Sequence, residues 1–304
     1  MGLKSFSAFK QMAAESSRLY TLTEEDTRKV QQKLLDMMQD IDGFCTRNQL
    51  TYVMTGGCAL GAIRHQGFIP WDDDIDICMP REDYDRFARE FSGEYTAKYY
   101  VQEIQTCPAY DLNFMKVRLK GTEFCELLDP EPEKAGIFID IFPIEHVYMS
   151  SWKRSLQHLY SDGLQFICSC VRIRGKKERL LEYAQNKDIV KMIRLKAAIG
   201  TLFSFRTLRD WLLLTERFVS RCKEKDSSLI SIPVGRGHFK GELYPTDWFY
   251  PPKRMDFAGH SFAFPAKTEN YLKQMYGDYM SIPSKEEREH HSVLSFDLGK
   301  SREI

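Results

Sequence analysis

The spacing of apolar residues predicts a helix near the start of the chain. Val30, Leu34, Leu35, Met38 and Ile41 recur every three or four positions across residues 24–48, the repeat of a helix that buries one face. Thr23, ahead of Glu24, Glu25 and Asp26, is the residue type that caps such a helix. The period then shortens. "LTYVMTGG" reads as a strand ending in a glycine turn and "CALGAIRH" as a short helix launched from it; "DDIDICMP" alternates charged and apolar residues like a strand with one wet edge. A helix is expected from Glu82 to about Phe91. "AKYYVQEIQT" and "LNFMKVRLKGTEFCELL" predict strands, the latter with a Lys-Gly turn, and "GIFIDIFPIEHV" is the most strand-like segment of all.

From about Ser150 to Lys225 the pattern is helical and basic, with 17 Lys plus Arg against 7 Asp plus Glu, a net of +10 in a chain whose 43 basic and 43 acidic residues balance as a whole, so that the remainder is acidic by the same amount. This excess reads either as a solvated helical face or as a docking surface for an anionic polymer, a phosphate-bearing glycan or a membrane surface. Beyond it, residues 241–280 suggest an aromatic-rich hairpin and a short helix capped by Thr268, followed by a polar tail. Three units follow: a catalytic core over 1–149, a basic helical insertion over 150–232, and a C-terminal segment over 233–304 that packs back on the core.

Composition narrows the class. Hydrophobic residues at 43% and charged residues at 28% are ordinary for a globular chain, which argues against disorder and against a protein that coats nucleic acid. The N-terminus lacks the apolar stretch of a secretory signal, and "AAIGTLFSF" falls short of the roughly 20 residues that span a bilayer. A soluble cytoplasmic protein is expected. Eight cysteines, none in a C-x-x-C pair, are expected to be reduced thiols without zinc or disulfides.

The chemistry concentrates in residues 54–87. In a strand, residues i and i+2 share a face, so Asp72, Asp74 and Asp76 are expected to point one way, and Asp73, Ile75 and Ile77 the other. Three carboxylates on one half-buried face repel unless they protonate or bind cations. Oxygen ligands without His or Cys favour Mg²⁺ or Mn²⁺, which commonly completes its shell with substrate phosphates. Asp140 stands alone among Ile137, Phe138, Ile139, Ile141 and Phe142, where an unpaired charge is costly; a metal held by Asp74 and Asp76 is its expected partner. Gly56 and Gly57, between strand and helix, would let backbone N–H groups approach phosphate.

That order of strand, Gly-Gly, helix, Asp-Ile-Asp strand and later Asp strand resembles the DNA polymerase β-type nucleotidyltransferase core. "GGCALGAIRHQGFIPWDDDIDICMPREDYDRF" is similar to the signature of the LicD and fukutin family of phosphocholine and phosphoalditol transferases. So are "GIFIDIFPIE" and "FAGHSFAFPAKTENYLKQMYGDYMSIP"; together they cover about residues 50–145 and 240–292. The resemblance implies an α/β fold with a mixed sheet, a helical insertion and a C-terminal hairpin plus helix. It implies Mg²⁺-dependent transfer of a phospho-alcohol from a CDP-linked donor, CDP-choline favoured, to a glycan hydroxyl in lipopolysaccharide or teichoic acid synthesis. By matching positions, Asp74, Asp76 and Asp140 become metal ligands, with Asp140 a candidate base.

Other residues carry open alternatives. Arg64 and His65 could neutralise a diphosphate, or Arg64 could pair with the aspartates; Asp72 and Asp73 could orient that Arg and the metal waters. Lys116 and Arg118 share a strand face and could reach phosphate or be exposed strand charges. Phe68, Trp71, Trp248 and Tyr250 could box a quaternary ammonium or pack in the core, and His290 and His291 read as surface residues. The acceptor is expected to be anionic or lipid-linked, with peripheral membrane association through the basic helices. Two competing readings are nucleotidyl transfer of NMP to a small molecule or sugar, and a non-catalytic module that binds a glycan or partner.

Overall fold

A computed structural model of the chain describes residue 12, residues 19–284, residue 288 and residues 293–299. The first helix, α1, runs Glu24–Asn48, and the Thr23 and Asp26 side chains close a reciprocal capping box at its start. The strand β1 (Val53–Met54) leads into α2 (Gly56–His65), then β2 (Asp76–Pro80), α3 (Arg81–Glu94), β3 (Tyr99–Gln102), β4 (Met115–Leu119), β5 (Glu123–Glu126) and β6 (Phe138–His146). The expected strand at the aspartates is therefore shorter than the alternation suggests: Asp72–Ile75 is loop, and pairing starts at Asp76.

The main sheet is mixed, in the order β1-β2-β6-β4-β3. Only β2 and β6 run parallel; the other neighbours are antiparallel. Register divides the sheet into two chemically different faces. Ile77 and Met79, Ile139 and Ile141, and Met115 and Val117 fill one face and belong to the main core with Val30, Leu34, Met38, Phe87 and Phe91 from α1 and α3. The opposite face carries Asp76, Asp140, Lys116 and Gln102 as successive cross-strand partners. Alternation thus places the apolar set against helices and the charges on one side of the same sheet.

After β6 the chain enters helices α4 (Ser151–Gly175), α5 (Lys177–Tyr183), α6 (Lys187–Leu202) and α7 (Leu208–Val219). These make two smaller apolar clusters, one around Ile173, Leu180, Ile189 and Ile193, the other around Cys168, Val171, Trp211 and Leu212. The chain rejoins the sheet at β7 (Leu229–Ser231), which pairs with β6 and with β8 (Leu243–Pro245). A hairpin of β9 (Lys253–Phe257) and β10 (His260–Phe264) precedes α8 (Thr268–Tyr276). Thr268 is inside α8 rather than its cap: Lys267 holds that position, and the Thr268 hydroxyl donates to the Pro265 carbonyl. The tail was expected to be merely polar, yet Val293–Asp297 forms β11 on the edge of β5. His290 and His291 lie outside the described residues. All eight cysteines are free thiols.

Candidate active site

The glycine pair sits beneath the aspartates. Gly56 has φ of +56°, open to glycine without strain, and its N–H donates to the Tyr271 hydroxyl of α8 at 2.8 Å. A Cβ on Gly56 would lie 2.8 Å from Asp76 Oδ2, and one on Gly57 would overlap Asp72 Oδ2. Only bare backbone lets these carboxylates lie so close to the start of α2. The loop that follows is pinned by Gln31, whose amide donates to the Ile69 and Asp72 carbonyls at 3.1 and 2.8 Å. It brings one carboxylate oxygen each of Asp72, Asp73 and Asp74 within 4.8 Å of one another.

Strand pairing adds two more carboxylates. Asp76 and Asp140 are register partners on parallel neighbours, and the Asp140 N–H donates to the Ile75 carbonyl at 3.0 Å. The expectation that Asp140 depends on a metal for its counter-charge is corrected here. Lys116, its partner on β4, places Nζ 2.9 Å from Asp140 Oδ1 and 3.1 Å from Glu126 Oε2. Burial disfavours the Lys116 ammonium, yet Asp140 and Glu126 together hold its pKa above the usual lysine range. The ammonium also lies 3.3 Å from the Phe138 ring centroid.

Lys116 and Arg118 are thus not exposed strand charges; both are buried. Arg118 donates to Gln102 Oε1 at 2.7 Å and the Gly136 carbonyl at 3.1 Å, and pairs with Asp129. Its hydrogen-bonding capacity goes largely to protein, whereas Lys116 borders the carboxylate row directly. Arg64 donates to the Tyr279 and Ser281 carbonyls, both at 3.1 Å, and to His65. Two of these three hydrogen bonds go to the C-terminal segment and one to the neighbouring His65, none to the aspartates. Burial lowers its pKa, against the favourable charges of Tyr276 and Asp72. Burial and then the Arg64 charge lower His65.

The four candidate box aromatics meet different neighbours in edge-on or tilted contacts. Phe68 meets Phe257 at 4.8 Å, Trp248 meets Tyr244 at 6.4 Å, and Tyr250 meets Phe249 at 6.4 Å. Trp71 stands edge-on to His65, with the Arg288 guanidinium 3.9 Å from its centroid. Of the four, only Trp71 adjoins the aspartate loop in sequence.

Residue-by-residue reading missed Tyr271, Tyr276 and Glu126. Tyr276 is 36% exposed as a residue, while desolvation of its hydroxyl, then the charges of Asp76 and Asp72, push its pKa upward. The signal in the sequence is "YLKQMYGDYM", whose helical spacing alone does not show that Tyr271 and Tyr276 turn toward the glycine pair and the aspartates.

Among the described residues the carboxylates whose oxygens lie in mutual reach are Asp72, Asp73 and Asp74, an all-oxygen set that suits a hard divalent cation. Asp76 and Asp140, register partners on β2 and β6, are not part of that group. Because residues 72–75 are loop, the expected split of Asp73 from Asp72 and Asp74 onto opposite strand faces does not hold.

Comparison with known proteins bears on this geometry. The domain described as "LicD/FKTN/FKRP, nucleotidyltransferase domain" matches residues 49–167, from before β1 into α4. The lipopolysaccharide cholinephosphotransferase LicD of Haemophilus influenzae is 27% identical over 268 residues, covering 88% of this chain and 96% of that protein. An uncharacterized protein of Rickettsia prowazekii is 39% identical over 69 residues, and one of Rickettsia typhi is 43% identical over 56; these cover 26% and 18% of those proteins.

Proposed function

We infer, from the premise that this chain is a member of the LicD family through residues 49–167, that it transfers phosphocholine from CDP-choline to a hydroxyl of a cell-surface glycan precursor. The observation that carries the reading is the register of Asp76 with Asp140 beside the bare glycine pair. A DNA polymerase β-type core accounts for that placement, with the donor diphosphate lying over Gly56, Gly57 and the start of α2. The 27% relative named for lipopolysaccharide cholinephosphotransfer supports both choline as the alcohol and a lipid-linked glycan as the acceptor class.

In this reading Asp74, Asp76 and Asp140 hold Mg²⁺, with Asp72 and Asp73 orienting its waters. Bound there, Mg²⁺ supplies charge neutralisation for the diphosphate. The protein's own groups do the rest. The acceptor oxygen attacks the β-phosphorus and gives its proton to Asp140, while the bond to the bridging oxygen breaks and CMP leaves with that oxygen. Lys116 fixes the rotamer of Asp140 through two contacts, at 2.9 and 3.2 Å. Phosphoryl-type transfer asks the protein mainly for positioning and charge compensation, and buried, mutually paired side chains on a sheet provide a rigid frame.

Thermal stability of the purified chain with CDP-choline, CDP-ribitol, CDP-glycerol, CTP and ATP, each with and without Mg²⁺, tests the reading. Metal-dependent stabilisation by CDP-choline is expected, about 2.7 kcal/mol at roughly 100 times Kd, with CMP as product. Stabilisation by CTP or ATP alone, with pyrophosphate released, would replace it with nucleotidyl transfer.

A further inference from the structure

The first half of α4 is inside out. Trp152, Leu156, Leu159 and Tyr160 follow the i, i+4, i+7, i+8 spacing of a core-facing stripe, yet are 64%, 44%, 66% and 56% exposed. The buried positions of the same turns are polar: Gln157 is 2% exposed and Ser161 0%. Gln157 earns its place with bonds to the His146 carbonyl and the Tyr148 N–H. The helix is therefore held by hydrogen bonds on its inner side and leaves its apolar face to the outside.

Between this stripe and α7 runs a groove of about 290 Å³ whose lining includes Tyr148, Phe218, Lys153 and Arg221. Both cations are exposed. Each lies by an aromatic ring, Lys153 5.9 Å from Trp152 and Arg221 5.7 Å from Phe218. Of fourteen large apolar residues exposed among the described residues, eight fall between Trp152 and Phe205, within the segment that also carries the +10 excess. Aromatic and aliphatic side chains of α4 mixed with Lys153 and, from the turn after α7, Arg221 around one groove match the interface of an anionic bilayer, where rings sit at headgroup depth and cations meet lipid phosphates.

We propose that the outer face of α4, with the groove it forms against α7, docks the protein onto an anionic phospholipid membrane. The occupant is chosen by charge: a neutral apolar partner would leave Lys153 and Arg221 of the groove unmatched, and a soluble polyanion would leave Trp152 and Leu159 in water. The surface is remote from the carboxylates. Asp140 lies near the start of β6 and α4 begins beyond its end, about 20 Å of strand away at roughly 3.3 Å per residue. Docking here would hold the protein at the layer where a lipid-linked acceptor resides, without occupying the site.

The test is co-sedimentation of the full chain with vesicles of phosphatidylglycerol and phosphatidylcholine in equal parts, against phosphatidylcholine alone. Tryptophan quenching by brominated acyl chains is read in parallel. Vesicle binding requires neither donor nor acceptor, so its failure is separable from failure of the transfer reading. Binding to the anionic vesicles only is expected, weakened at least tenfold by Lys153→Glu with Arg221→Glu and by 0.5 M salt, about 1 kcal/mol or more per cation. Most quenching should vanish in Trp152→Phe, because Trp71 and Trp248 are partly buried and Trp211 is buried. Absence of binding, binding indifferent to the two reversals, or quenching unchanged in Trp152→Phe would overturn the proposal. A concentration-dependent dimer that Trp152→Ala dissociates would overturn it in favour of a second copy as the occupant.

Discussion

The carboxylate-bearing sheet and the helical insertion break the ordinary inside-outside rule in opposite directions. In the sheet and the turn after β5, Lys116, Arg118, Asp140 and Asp129 are buried where apolar side chains usually sit; in α4, Trp152 and Leu159 are exposed where charges usually sit. Each departure is informative because folding alone disfavours it. Buried charge is tolerated in the sheet because every group named has partners on neighbouring strands or loops, whereas the α4 stripe has no comparable apolar covering from the described residues. The first pattern belongs to a site organised within the chain, the second to a surface completed from outside.

The sharpest way to break that comparison is Asp140→Asn. It keeps side-chain volume while removing the charge; transfer is expected to fall about a thousandfold, at the upper end for loss of one electrostatic group, with the melting curve still cooperative. Activity within tenfold of the parent would remove Asp140 from the chemistry.

Next in size is Arg118→Met, which strands Asp129 without its guanidinium. Breaking a buried pair in this way typically destabilises by about 3–5 kcal/mol, readable by urea denaturation. The matched control in the insertion is Arg217→Ala, an exposed cation, expected to change stability by less than about 0.5 kcal/mol. Equal effects at both positions would mean that the sheet's charge network is no more structural than the insertion's.

Glu242 adds a pH test within the core. Burial raises its pKa to about 7, opposed by the Gly237 N–H and the Arg236 charge. A carboxyl raised in the folded state binds its proton more tightly than the unfolded chain does, so it destabilises the fold progressively as pH rises from about 4.5 to 7 and fully above 7. The shift corresponds to about 3 kcal/mol. Glu242→Gln is therefore expected to melt above the parent at pH 8, with the gap closing toward pH 5; a gap independent of pH would contradict the assigned cause.

The smallest effect on stability separates site from scaffold. Gly57→Ala gains helix propensity of about 1 kcal/mol, but its Cβ overlaps Asp72 Oδ2. Net stability should change by less than about 1 kcal/mol while transfer falls roughly tenfold through displacement of that carboxylate. A variant that loses both together would show that the Asp72 contact supports the fold rather than the site.

Periodicity and turn signals determined α1 with its Thr23 cap, the short helix up to His65, though it begins at Gly56 rather than after the glycine pair, the β6 strand and the run of helices after Ser150, because these signals are local: spacing, capping and turn chemistry repeat within a few residues. The unusual carboxylates were legible for the same reason, since Asp140 among Ile and Phe is anomalous wherever the strand goes. Tertiary structure alone decided what those carboxylates meet. Lys116 faces Asp140 only through the register of β4 on β6, 24 positions apart in sequence, and Tyr271 reaches Gly56 across 215 positions. Strand β11 exists because β5 offers it an edge, and the stripe on α4 points outward because Gln157 finds the His146 carbonyl on the inner side. A sequence states which side chains a helix or strand presents on each face; which face becomes the inside is set by the neighbours that arrive from elsewhere in the chain.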